Sequence, residues 1–411
     1  MVKSEFHQEQ EPPVDGVDTP PYQMRYRWIM LLLAWLLYWC FGIVVRSIAP
    51  LVTPILEELN ISYTQMGIVL GAWPLTYIAV AAIGGAIIDR WGIRKSLFVG
   101  IVIIGLSAAL RYFADGFVIL FLCVALLGIG GPMISIGCPK TVAEWFRGKE
   151  RGTAVGFYMT GPWLGGLTAY SLANSVIMPL VRYSWRLTFV VFSLPAFAAA
   201  LLWWFLSREA KSTEATKKVG IIKVFTDLIG IRNVQLIIIM GFLLMSVAHG
   251  FNDWLPKILE TGGLPLAVAG FAASIPLITG IPVVLFLPRL VPPHLRGRTI
   301  ALMSFLFAIV ILIIATTSGA TLVAGLIFQG IVYTAIFPLL VLFLMDIPEV
   351  SSKYMGAATG MLFCISEIGG FGGPFVMGAV RDLTGDFMTG ASLLAVLAVS
   401  MSFMALLLKT K

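Results

Sequence analysis

Long apolar runs broken by short polar stretches dominate this chain. A helix needs roughly 20 residues to cross a bilayer, and on that scale the pattern predicts twelve spans. They lie near 27–51, 63–88, 96–113, 117–146, 151–177, 186–206, 233–256, 264–288, 298–317, 320–345, 354–380 and 388–408. Two polar stretches frame the first six. Residues 1–26, with Glu5, Glu9, Glu11, Asp15, Asp18 and several prolines, read as a disordered tail. Residues 207–232, with Arg208, Lys211, Lys217, Lys218, Lys223 and Arg232, read as a linker with room for a short surface helix. The chain therefore divides into a tail, a first six-helix bundle (27–206), a linker (207–232) and a second bundle (233–411).

The two bundles echo one another. Gly152, Ala154, Gly156, Gly165 and Gly166 of the fifth span recur 204 positions on as Gly356, Ala358, Gly360, Gly369 and Gly370 of the eleventh. Pro54-Ile-Leu-Glu57 after the first span is matched by Pro256-Lys-Ile-Leu-Glu260 after the seventh. Five small residues in register point to a duplicated unit.

Composition narrows the class. A mean hydropathy of +0.94, 59% hydrophobic and only 12% charged residues exclude a soluble enzyme of 411 residues; soluble domains carry roughly twice that charged fraction. The net charge of +7 does not indicate nucleic acid, because the basic residues cluster in short breaks between apolar runs. Of 28 Lys and Arg, 21 fall on the face that carries both termini, and five (Arg111, Arg182, Arg186, Lys257 and Arg381) on the other. That bias places both termini in the cytoplasm. Cys40, Cys123, Cys138 and Cys364 sit inside apolar runs without metal-ligand spacing and read as small packing residues.

The most informative break is Gly85-Ala-Ile-Ile-Asp89-Arg90-Trp91-Gly92-Ile93-Arg94-Lys95. Gly85 removes a side chain where helices approach, Asp89 can cap a helix or pair with a base, and Gly92 permits a tight turn. Arg90, Arg94 and Lys95 mark a cytoplasmic face. The spelling G-x-x-x-D-R-x-G-x-R-K resembles the signature loop between helices 2 and 3 of the major facilitator superfamily. The resemblance implies an all-α membrane protein of that fold, with twelve transmembrane helices in two pseudo-symmetric halves. It also implies a secondary transporter of the inner membrane that works by alternating access around a mid-membrane site. The loop after the eighth span is a weaker copy, with Pro288-Arg289 in place of the acid and Arg296 and Arg298 further on. Gly161-Pro162-Trp163-Leu164-Gly165-Gly166 resembles the fifth-helix motif of proton antiporters in the same superfamily.

Charge inside a membrane is costly, so each such residue is a functional candidate. Arg46, four residues before Pro50, can hold a carboxylate through two parallel hydrogen bonds, or snorkel to the outer interface. Lys140 can be a second anion contact, or pair with Glu144 at i+4. Glu367, deep in the eleventh span, can take up and release a proton. His249 is a second candidate for proton coupling, and Asn252 for reading a polar substrate, while Asp253 is expected at the outer interface with Trp254. Trp73, Tyr77, Tyr158, Trp163, Gln329 and Tyr333 can shape a cavity or serve packing.

No nucleotide-binding loop, metal cluster or catalytic constellation stands out, so neither an enzyme nor a cofactor is expected. The partners expected are a small-molecule substrate, the lipid bilayer and protons, acting on a monomer. The first five spans are diffusely similar to bacterial cyanate- and organic-anion-type permeases, which implies a small anion held by Arg46 and Lys140. Two alternatives stand beside this one. The fifth-span motif and Glu367 suit a proton-coupled exporter of cationic or amphipathic drugs, and a non-transporting membrane sensor would keep the same fold.

Overall fold

The computed structural model describes residues 21–209, 228–350 and 355–408. Almost all of them are helical, as a chain in lipid requires, because a helix satisfies every backbone N–H and C=O within itself. The first half comprises α1 (Pro21–Arg46), α2 (Tyr63–Trp91), α3 (Ile93–Leu110), α4 (Phe117–Trp145), α5 (Gly148–Leu172) and α6 (Trp185–Leu206). The second comprises α7 (Arg232–Asn252), α8 (Leu266–Ala273 and Ile275–Leu290), α9 (Arg296–Thr316), α10 (Gly319–Tyr333 and Ile336–Met345), α11 (Met355–Thr384) and α12 (Met388–Leu406). Eleven helices of the described residues are long and apolar enough to cross a membrane. The helix that misses that mark is α5, whose Gly, Thr, Ser and Tyr positions fit it to α1 rather than to lipid. Most of the linker predicted at 207–232, and the tail before residue 21, lie outside the described residues.

The predicted first and seventh spans run past the ends of their helices. Pro50, whose missing N–H would have bonded Arg46 O, stops α1 at Arg46, and a separate short helix follows at Val52–Leu59. Pro256 does the same after α7, which ends at Asn252 and is followed by Leu255–Thr261. Proline has no N–H to continue the ladder, so both breaks have one cause. Their consequence is shared as well: Arg46 and Asp253 sit at helix ends, where a side chain can turn inward.

The halves meet along two pairs of helices, α2 with α11 and α5 with α8. Small residues bring the first pair together: Gly67 and Gly71 face the backbone of Pro374 and Phe371, and Gly378 faces Tyr63. These contacts fall in the half of α2 remote from the Gly85–Lys95 loop. Short helices and caps complete the closure there. Lys257 Nζ donates to Thr53 Oγ1 at 2.8 Å, and Thr53 also bonds Glu260. Asp382 of α11 accepts from the N–H groups of Tyr63 (3.1 Å) and Thr64 (2.7 Å) and from Thr64 Oγ1 (2.6 Å), capping α2 from the other half.

At the loop face the seam is loose. A side chain at Gly85, Gly152 or Gly360 would meet nothing within 4 Å among the described residues. The close approach expected at Gly85 is therefore not made in this conformation. Its neighbour Gly84 makes one instead, against Pro132 and Ile136 of α4. The arrangement is closed at the face remote from the loop and open towards the loop.

Candidate functional site

Four charged or titratable side chains meet where the seam is closed. Arg46, at the end of α1, pairs with Asp253, just past the end of α7. The pair joins the two halves and is largely shielded, with side-chain exposures of 19% and 8%. The other carboxylate oxygen of Asp253 lies 3.1 Å from His249 Nδ1, one helical turn back, so an Nδ1–H donates to it. That leaves His249 Nε2 facing Glu367 Oε2 of α11 at 3.9 Å. Glu367 Oε2 has no hydrogen-bond partner among the described residues. Gly370 keeps the space beside it clear, since a side chain there would meet that oxygen at 2.7 Å.

Arg46 is held in place from behind. The glycines of the fifth-helix motif let α5 press on α1: Gly161 lies against the backbone of Trp35 and Trp39, and Pro162 against Gly42. Gly165 meets Trp39 and Ile43, while Gly166 lies against the aliphatic stem of Arg46 and against Leu277 of α8. Within this structure the motif is the packing seam that sets the position of the guanidinium.

Polar aromatic residues surround the ion pair. Tyr170 and Tyr333 lie beside the guanidinium, and the Tyr170 hydroxyl donates to the carbonyl of Asn252 at 3.0 Å across the halves. Asn252 spends its side chain on the scaffold, donating to Ala248 O at 2.7 Å and accepting from Gln329 Nε2 at 2.8 Å. Gln329 keeps a free acceptor, Oε1, which is buried and has no partner among the described residues. Tyr333 packs between Trp163 and Phe307. Trp73 lies 5.6 Å from the His249 ring, and Tyr77 shares a 2.6 Å hydrogen bond with Ser135. Tyr158 is buried against Tyr38.

Lys140 is elsewhere. Its ammonium lies 2.6 Å from Asp89 Oδ1 near the loop face, so its hydrogen-bonded partner is an acid 51 residues away rather than Glu144. Around it the signature loop turns at Gly92 with φ +81°, and Arg94 donates to Trp204 O at 2.5 Å while stacking on the Trp204 ring. Arg90 and Lys95 are exposed. In the second half the acid absent from 288–289 is replaced from another helix: Arg296, at the start of α9, pairs with Asp346, at the end of α10. Each half thus has an acid–base pair at this face, with acid and base exchanged between helices.

Asp253 was expected at the outer interface with Trp254; both are buried. The sequence did hold one signal for it, the i,i+4 spacing from His249. Tyr170 and Asp382, which tie the halves together, carried none.

A two-bundle helical fold with a partly buried arginine on the seam between its halves defines a membrane transporter. The chain belongs to the Major Facilitator Superfamily, whose family profile matches residues 34–374. It is 28% identical to the hexuronate transporter of Bacillus subtilis (strain 168), over 85% of this chain and 87% of that one. It is 25% identical to the probable sulfoacetate transporter SauU of Cupriavidus necator, over 86% and 87% of the two. Among solved structures it resembles a bacterial homologue of the human lysosomal transporter Spinster in an inward-facing, occupied conformation, with a TM-score of 0.73 and 17% identity over 93% of this chain and 96% of that one. That likeness concerns the fold.

Proposed function

We propose that this protein carries a small organic anion, of the carboxylate or sulfonate class, across the bacterial inner membrane by alternating access with proton coupling. Both termini, the linker and the Gly85–Lys95 loop lie in the cytoplasm, so the conformation described opens inward. The observation that carries the reading is Arg46: a guanidinium on the seam between the halves, partly open and fixed by Gly166, with its donors aimed at a carboxylate. Guanidinium is the side chain suited to planar, two-point recognition of carboxylate and sulfonate. The relatives fit this chemistry, being named for hexuronate and sulfoacetate. Gln329 Oε1, buried and unpartnered, is placed to accept from a substrate hydroxyl. His249 and Glu367 supply the proton site.

The reading is tested by thermal-shift titration of purified protein with glucuronate, galacturonate, sulfoacetate, cis,cis-muconate and a lipophilic cation. Ligand that binds only the folded state raises the melting temperature by mass action. At least one of the anions stabilises the wild type. Arg46→Ala loses the effect, with affinity weakened roughly 100-fold, the scale of a lost charge-assisted pair. Stabilisation by the cation alone, indifferent to Arg46, would overturn the reading.

A further inference from the structure

The cluster contains a carboxylate that occupies the place proposed for the substrate. Asp253 holds Arg46 through one oxygen and His249 through the other. A substrate anion reaching Arg46 must therefore displace a resident anion, and the displaced one remains buried among apolar helices. An uncompensated carboxylate there is costly. The nearest group able to compensate it is the imidazole already bonded to it.

Resting on the anion-transport reading above, we infer that Asp253 is the exchange residue that ties anion binding to proton uptake. While Arg46 holds Asp253, His249 is neutral. When the anion takes Arg46, Asp253 is released to His249, which accepts a proton from water at Nε2 and becomes the imidazolium partner of Asp253. The charge of Glu367 is the same before and after. The carboxylate or sulfonate group that takes Arg46 adds one negative charge and the proton removes it, so the cluster keeps its net charge only if one proton enters with each group bound there. Glu367 Oε2, 3.9 Å from Nε2, faces the nitrogen where that proton arrives.

Apart from Glu367 itself, the described residues around the cluster supply no competing acid or base. Arg46 reaches the cluster from α1, Tyr77 from α2, Tyr170 from α5, Tyr333 from α10, and Cys364 and Glu367 from α11. The tyrosines and the cysteine are neutral around pH 7 by their ordinary chemistry. The helix α12, which also packs on α7, has no titratable side chain between Met388 and Leu406. Lys257, one turn beyond Asp253, is engaged by Glu260 at 3.2 Å and by Thr53. Asp253 thus answers to Arg46 on one side and His249 on the other.

Calorimetric titration of the detergent-solubilised wild type with glucuronate, galacturonate, sulfoacetate and muconate, each in buffers of different ionisation enthalpy, reads this directly. Around pH 7.5 the binding heat depends on the buffer with a slope of about one proton taken up per anion, and affinity weakens about tenfold per pH unit on the alkaline side. In Asp253→Asn the anion still binds, the slope falls to zero and the pH dependence disappears. Where that variant does not yield folded protein, His249→Gln is expected to lose the slope and Glu367→Gln to keep it, and the reverse pattern overturns the exchange. Anion binding to the wild type without proton uptake, or an undiminished slope in Asp253→Asn, overturns the exchange while leaving anion transport standing. Binding of none of the anions to the wild type removes both.

Discussion

At the face remote from the signature loop, Gly67 and Gly71 of α2 lie against the backbone of Pro374 and Phe371, and Asp382 caps α2 across the seam. At the loop face, Gly85 of α2, Gly152 of α5 and Gly360 of α11 face open space. Both ends of the seam use glycine, yet only one is occupied. A glycine that meets nothing is out of place if the structure shown is the whole of its function. It makes sense if the same surface must close tightly in another conformation. If the chain alternates as proposed, the unused small residues at the loop face are where its second closed state would pack.

The sharpest test of this contrast is a pair of substitutions with opposite signs. Gly67→Leu places a side chain into the Pro374 backbone, which cannot yield, so the remote face should fail to close. Gly85→Leu meets no atom in the present conformation and should block closure at the loop face instead. Overpacking costs about 1–3 kcal/mol, enough to move the balance of conformers roughly tenfold to a hundredfold. Spin-label distances across each face would move in opposite directions in the two variants, and both should lose transport. Equal shifts in one direction would show that the two faces do not close alternately.

Asp382→Asn comes next. It keeps the shape of the cap but removes the negative charge from the N-terminus of α2, worth about 0.5–1 kcal/mol at an exposed helix end. The remote face should open a few-fold more often, seen as faster labelling of a cysteine placed at Thr64. Asp89→Asn should do least to the conformer described. Asp89 and Lys140 are 60% and 35% exposed and belong to the same half, so their pair contributes no more than about 0.5 kcal/mol. The melting temperature measured in detergent should be nearly unchanged.

Helix number, the duplicated halves and the signature loop were legible because each rests on local or periodic spelling: apolar run length, a glycine register and eleven consecutive residues. Of the candidate cluster only some members were legible, and its arrangement was not. Arg46, His249 and Glu367 stood out as charges in apolar runs. Nothing in the spelling joined Arg46 to Asp253, which lies 207 positions away and turns inward only because α1 and α7 both break ahead of a proline. Lys140 shows the same gap. The partner visible in the sequence was Glu144, one turn on, while the bond is made to Asp89 on another helix. Local spacing reveals pairs on one helix, and a membrane bundle makes its decisive pairs between helices.

Everything proposed for transport turns on Arg46 as the place where a small organic anion binds. Uptake of radiolabelled galacturonate, sulfoacetate and muconate into proteoliposomes, with and without a proton gradient, addresses it most directly in wild type and Arg46→Ala. At least one of these anions should accumulate in wild-type vesicles, faster when the gradient drives protons the same way. In Arg46→Ala that uptake should fall to background while the protein stays folded. Uptake in Arg46→Ala at the wild-type rate, or transport of a lipophilic cation in place of every anion, would contradict it.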